Sequence, residues 1–346
     1  MRGNAAAILA HLPKSAKLFA VVKANGYGHG AVQMARAALD GGASGLAVAT
    51  LEEADQVNGL VPLISADRVL VMGGLTPQHA AAAAASGCSI AVSSVEFAKA
   101  LGDRDVVVPV HLKIDTGMGR FGCTPSEAAA LASFIDQAPG LLLAGTWTHF
   151  ASADSDEAMT RNQFDRFIEA LATFEVDPGV RHACNSAGAR RFPEFALDAV
   201  RSGIALYGCE WPGNRPALAL RSVVTQLKTV GVGDTVGYGA TWRAAARTPV
   251  ATVAIGYADG VHRARSNRGH VLVRGHRARL IGAVSMDAIT IDVTNVPDVQ
   301  VGDVVTVIGE DQGDRITAEE VAEWSGTISY EVLTSIGARV ERHYSE

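Results

Sequence analysis

Lys23 ends an apolar run and is followed by three glycines, Tyr27 and His29 in the stretch VVKANGYGHG. An ammonium at the end of a buried strand is costly to desolvate, so its pKa should fall and free amine become available. Such an amine can form a Schiff base with an aldehyde cofactor. The glycines allow close backbone approach, and Tyr27, four residues on, would reach a phosphate. The same stretch supports a second chemistry. Gly26, Gly28 and Ala31 satisfy G-x-G-x-x-A, the dinucleotide fingerprint of a nicotinamide (NAD) dehydrogenase. Glu52 and Glu53 stand near the end of the next apolar run, where a ribose-binding acid would be expected. The third reading is chemically silent: a solvated lysine leading into a flexible turn.

The elements around Lys23 help to separate these readings. Eight strand-like runs cover residues 17–24, 44–50, 68–74, 88–94, 108–115, 141–150, 180–187 and 199–208. Ala/Leu-rich helical text separates most of them. Alternating strands and helices imply a parallel sheet, and eight units match the count of a closed (β/α)8 barrel of the TIM type. An open doubly wound sheet is the alternative. Lys23, Lys113, His149, Ser186 and Arg201 all fall near the C-terminal halves of runs. In a barrel those ends share the face where active sites lie. NSAG and RSGIALYG, at the ends of the last two runs, are small-residue loops of the kind that hold phosphate. A barrel with a lysine-bound phosphate cofactor therefore leads.

After Leu218 the text changes to short strands separated by Gly, Asp and Asn, which reads as a mainly antiparallel β domain. Pro212, Gly213, Asn214 and Pro216 mark the boundary, so the expected domains are 1–217 and 218–346. One helical stretch, TAEEVAEWSGTISYEVLTSIG, closes the chain. A net charge of −6 implies no basic field for nucleic acid or anionic membrane. Apolar runs are too short to span a bilayer, and residues 1–17 lack the features of a secretory signal. Four scattered cysteines without a CxxC pair argue against a zinc site or disulfide framework and favour a cytoplasmic protein.

With these blocks in order, the sequence resembles the alanine racemases, pyridoxal 5'-phosphate enzymes built from a barrel and a β domain. VVKANGYGHG, KIDTGMGRFG, THFASAD, CNSAG, RSGIALYG, GDTVGYGATW, AIGYADG and SYEVLTSIGARV carry the resemblance over nearly the whole chain. It implies interconversion of L- and D-alanine, supplying D-alanine for peptidoglycan, and a homodimer whose β domains complete each other's sites. Lys23 would carry the cofactor as an aldimine. Tyr27, Ser186, Gly203, Ile204 and Tyr330 would hold its phosphate, and Arg201 would face the pyridine nitrogen with His149 beside it. Tyr238 would be the second catalytic base. Arg120 and the Met286 N–H would bind the substrate carboxylate. Lys113 matches a lysine that carbon dioxide often carbamylates, and Asp154, Tyr257 and Arg263 match the substrate entrance. Bland alternatives remain: Tyr238 as a half-buried strand tyrosine, His149 as a core histidine, Tyr330 as a helix anchor, Lys113 as a surface lysine.

Two departures stand out. Ser285 occupies a position where cysteine is usual and Ala283 one where arginine is frequent, which leaves room for a broader or serine-directed substrate range. Relatives also usually carry an opening strand ahead of the first helix, and the chain begins close to that helix. Removing the α-proton on one face and returning it on the other requires two bases, or one that moves; Lys23 and Tyr238 can supply two. An arginine at the ring nitrogen, being donor-only, keeps that nitrogen unprotonated and limits side reactions.

Overall fold

Unbroken aliphatic runs without polar alternation need burial on both faces, the condition of a parallel sheet covered by helices. The computed structural model, which describes residues 1–58 and 64–345, meets that condition. Its first sheet comprises β1 (Lys17–Val21), β2 (Gly45–Val48), β3 (Val69–Val71), β4 (Ser89–Val92), β5 (Val108–Lys113), β6 (Leu141–Trp147), β7 (Val180–His182) and β8 (Ala199–Ser202). The order is β7-β6-β5-β4-β3-β2-β1-β8, and every pairing is parallel. Two backbone bonds bridge the remaining edge, from Asp198 N–H to the Arg181 carbonyl (3.1 Å) and from Arg201 N–H to the Cys184 carbonyl (2.9 Å). The result is a (β/α)8 barrel.

The covering helices bury one face each. The helix Pro125–Gln137 starts at a Thr124/Glu127 capping box with proline in its first turn, and buries Ala128, Leu131, Ala132 and Ile135 at helical spacing. The strands stop sooner than the apolar runs: β6 ends at Trp147 and β8 at Ser202, where Gly203 leaves extended backbone for a tight turn over Ile204–Tyr207. Those extra residues form the loops of the site.

The chain divides into two compact units, Met1–Arg215 and Pro216–Glu346. The second is built on β9 (Leu220–Val230), β10 (Thr235–Val236), β11 (Trp242–Arg243), β12 (Thr248–Val253), β13 (His270–Val273), β14 (His276–Ile281), β15 (Ile289–Asp292), β16 (Val304–Asp311) and β17 (Asp314–Ile316). The sheet order β13-β14-β15-β12-β9-β16-β17, with a further β13–β16 pairing, closes six antiparallel strands into a ring. GDTVGYGATW, expected as strand, is a two-residue ladder of β10 and β11 around a turn at Tyr238–Ala240. Glycines on both sides of Tyr238 adopt positive φ there and interrupt the extended backbone. The closing helical stretch is two helices, Ala318–Ser325 and Ser329–Thr334, broken where Gly326 takes a left-handed cap. Among the described residues no helix is long and apolar enough to cross a membrane.

Candidate active site

β1 ends at buried Val21, and after buried Val22 the chain leaves Lys23 half-buried at the barrel's C-terminal end. Ala24, Asn25, Gly26 and Tyr27 then take φ values of 52°, 52°, 61° and 51°, a left-handed turn. Left-handed backbone costs an L-residue about 1–2 kcal/mol, so this turn must be held in place. The Glu53 carboxylate holds it, accepting the Ala24 N–H (2.7 Å) and the Ala49 N–H (2.7 Å) and tying the ends of β1 and β2 together. Asn25 Oδ1 adds a bond from the Ala31 N–H at 3.0 Å. The dinucleotide reading fails on this geometry. Its fingerprint needs a tight turn that opens a helix N-terminus toward a pyrophosphate, whereas here the turn is left-handed and Glu53, one of the two candidate acids, is spent on backbone. Burial lowers the Lys23 pKa and nearby Arg120 lowers it further, with Glu53 opposing.

Across the barrel mouth the Tyr27 ring stacks on Tyr207 with centroids 4.7 Å apart, and Tyr207 Oη donates to the Val21 carbonyl at 3.0 Å. This places the Tyr27 hydroxyl against Gly203 so closely that a Cβ there would lie 2.3 Å from Oη. Only glycine fits. Ser186 Oγ accepts the Gly203 N–H (3.0 Å) and the Ala205 N–H (3.4 Å), and lies 3.0 Å from Ser202 Oγ. Ile204 is buried between these amides. Three hydroxyls and two loop amides converge on one small region, which is the composition of an anion cradle.

Arg201 is 2% exposed, yet no carboxylate pairs with it among the described residues. Its Nη1 donates to the His182 carbonyl (2.9 Å) and His182 Nδ1 (2.7 Å). Its Nη2 donates to the Thr148 carbonyl (2.7 Å), the Ala183 carbonyl (3.0 Å) and His149 Nδ1 (3.3 Å). The guanidinium also lies 4.6 Å from the Trp147 ring centroid. Nε remains buried without a hydrogen-bond partner among the described residues. Burial lowers the Arg201 pKa to about 9, so the group stays charged at neutral pH. Burial and then Arg201 hold His149 well below the ordinary histidine range, so it is neutral. His182 is depressed by the same causes, and His111, 2.8 Å from it, falls to about 3.

Lys113 is 1% exposed, and its Nζ sits 3.2 Å from the Phe121 ring centroid with no hydrogen-bond partner among the described residues. Burial, then Arg120 and Arg201, lower its pKa to about 7. It is no surface lysine. Arg120 is exposed on the following loop, which Asp115 shapes by accepting N–H bonds from Gly117, Met118 and Gly119. Asp154 is exposed, and its Oδ1 accepts a hydrogen bond from the Ser155 hydroxyl at 3.3 Å.

The remaining expected residues belong to the second unit. Tyr238 is 73% exposed and Met286 52%, so Tyr238 is no half-buried strand tyrosine. One segment gathers them. Residues 282–286 abut Gly237, whose Cβ would meet the Ala283 N at 2.9 Å, and on the other side receive Tyr257 N–H to the Ser285 carbonyl (3.0 Å) and Ala258 N–H to the Met286 carbonyl (3.0 Å). Arg263 opens the neighbouring turn Arg263–Arg265, and Tyr330 lies on the helix Ser329–Thr334. Sequence reasoning missed His111, His182, Trp147, Tyr207 and the backbone role of Glu53. A signal existed for His111: it stands two residues before Lys113 on a strand, hence on the same face.

Comparison with known proteins identifies the family. The profile described as "Alanine racemase, N-terminal domain" matches residues 1–210, and "Alanine racemase, C-terminal domain" matches residues 217–344. The chain is 41% identical to the alanine racemase of Desulforamulus reducens, over 95% of this chain and 92% of that protein. Alanine racemase 2 of Bacillus subtilis is 37% identical, over 99% of this chain and 92% of its own length. The crystal structure of alanine racemase from E. faecalis superposes with a TM-score of 0.93 at 35% identity, covering 99% of this chain and 95% of that one. Alanine racemase from Bacillus anthracis with bound L-Ala-P gives 0.89 at 38%, covering 98% and 91%. The two profile matches, these relatives and the shared fold of barrel and β domain place this chain in the alanine racemase family of isomerases.

Proposed function

We propose that this chain interconverts L- and D-alanine with pyridoxal 5'-phosphate, as a cytoplasmic homodimer supplying D-alanine for peptidoglycan. The convergence at the barrel mouth carries the reading: a lysine of lowered pKa, an anion cradle in which Gly203 lets the Tyr27 hydroxyl approach closely, and a buried guanidinium with one donor to spare. The residues present fit the cofactor. Tyr27, Ser186, Gly203 and Ile204 would take its phosphate, joined by Tyr330, and Arg201 Nε would meet its ring nitrogen. When bound, it supplies the electron sink that acidifies the substrate Cα–H.

The chain's own groups then do the rest. Lys23 Nζ would hold the cofactor, and as a free amine would take or return a proton on one face of the substrate Cα. The phenol of Tyr238 serves the opposite face. Arg201 is donor-only and anchored by three backbone carbonyls, so it offers no acceptor and would keep a ring nitrogen placed against it unprotonated. His149, neutral, packs beside it without adding charge. Arg120 and the Met286 N–H orient the substrate carboxylate, while Asp154, Tyr257 and Arg263 line its path. Lys113 is suited to carbamylation because its amine is neutral in part at pH 7. Nζ bonds carbon dioxide and releases a proton to solvent, and the resulting anion steadies Arg120. The exposed apolar surface of Tyr238, Met286 and Tyr257 supports a second copy covering the β domain.

The test is direct. Purified protein loaded with pyridoxal phosphate should convert L-alanine to the racemic mixture, and borohydride should fix the cofactor on Lys23, read by peptide mass. No racemisation, or a label on another residue, would overturn the reading. Serine assayed alongside measures what Ser285 and Ala283 do to substrate range.

A further inference from the structure

Arg339 lies beyond the last helix, near the end of the described chain, and is half exposed. Its guanidinium joins two carboxylates. Nε donates to Asp259 Oδ1 at 2.6 Å and Nη2 to Asp259 Oδ2 at 3.2 Å, while Nη2 also reaches Asp287 Oδ1 at 2.6 Å. Asp259 closes the turn Tyr257–Asp259, accepting the Gly256 N–H at 2.8 Å, and Asp287 directly follows Met286. The two loops are already in backbone contact, so tightly that a Cβ on Gly256 would fall 2.3 Å from the Met286 carbonyl oxygen. The segment carrying Arg339 is packed in as well. Gly337 N–H donates to the Asp259 carbonyl at 3.3 Å, and Ser335 Oγ lies 2.9 Å from His262 Nε2. That segment continues directly from the helix Ser329–Thr334 that bears Tyr330.

We infer that Arg339 is a positioning residue: one planar fork that fixes the Tyr257 loop, the Met286 loop and the end of the Tyr330 helix as a single block. A lysine point charge cannot bond both carboxylates with this geometry. Burial pushes the Asp259 carboxyl up, but the bonds from Arg339 and the Gly256 N–H outweigh it, so the carboxylate stays charged below the usual range. The consequence for activity rests on the role proposed above for the Met286 N–H; the consequence for loop order does not.

The experiment has two arms, both on holoenzyme. In the first, Arg339→Gln should raise KM for alanine about tenfold while kcat changes less than about twofold, because ground-state binding is what the loops supply. Asp287→Asn, which removes one arm of the fork, should raise KM about threefold. Guanidinium added to Arg339→Ala should restore KM where methylammonium does not. In the second arm, hydrogen exchange at the Tyr257 and Ala258 amides should quicken about tenfold in Arg339→Gln, with barrel amides unchanged. A lower melting temperature with KM and loop exchange unchanged would overturn the inference and leave Arg339 a surface ion pair. Should the wild type fail to racemise alanine, the exchange arm still decides the positioning claim by itself.

Discussion

The barrel mouth and the 282–286 block of the second unit solve opposite problems. At the mouth, Arg201 and Lys113 are almost wholly buried, carry charge or a shifted pKa, and leave Nε and Nζ without partners among the described residues. In the second unit the side chains of Tyr238, Tyr257 and Met286 are exposed, while backbone hydrogen bonds join the Tyr257 and Met286 loops and Arg339 pairs with Asp259 and Asp287 beside them. Burying polar groups without partners costs free energy unless something else binds them, and exposing three large side chains on a rigid frame wastes area unless something covers them. On the function proposed above, each region would be a half-site: the first for a cofactor, the second for the mouth of another copy.

The largest effects should come from separating the two bases. Lys23→Ala should lose both cofactor attachment and racemisation, by about 10⁴-fold or more. Tyr238→Phe should keep the cofactor's visible absorbance yet lose about 10²–10⁴-fold in rate, since one proton-transfer atom is gone. Retained α-proton exchange at the wild-type rate in Tyr238→Phe would break the division of labour between the regions.

A smaller but sharper effect is expected at the cradle. Gly203→Ala places a methyl 2.3 Å from the Tyr27 hydroxyl, which must move out of the cradle. Affinity for inorganic phosphate and for pyridoxal phosphate should fall together, by about tenfold or more, with the barrel still folded. Phosphate affinity unchanged from wild type would show that the cradle lies elsewhere.

The smallest effect concerns Lys113. Its folded pKa is about 7 against an ordinary 10.5, lowered by burial, so the unfolded chain binds more protons between those values. Stability attributable to this lysine must therefore rise with pH across that window and level off above it. In carbonate-free buffer the urea midpoint should rise from about pH 7 to about pH 9 in the wild type more than in Lys113→Met. Identical slopes would mean the amine is not titrating in the fold.

How far the sequence foretold this follows from the reach of each interaction. Lys23, Arg201 and Ser186 were legible because strand ends in a barrel share a face, whatever the details. The left-handed turn was not, since Ala24, Asn25 and Tyr27 rarely take positive φ and the clamp that forces them comes from Glu53, 29 residues from Ala24. His182 looks like any strand histidine until β8 brings Arg201 against it. Arg339 was hidden for the same reason, its partners lying 80 and 52 residues away.

Subunit mixing tests the two-half-site account most directly. Lys23→Ala and Tyr238→Ala chains, each inactive alone, are mixed under conditions that let subunits exchange. Random pairing makes half of the dimers hybrids, and each hybrid contains one site with both an intact Lys23 and an intact Tyr238. Activity should return to about a quarter of wild type, half of the dimers times half of their sites. Mixtures that exchange subunits, shown by mass-tagged hybrids, and yet stay inactive would contradict the shared site and place both bases within one chain.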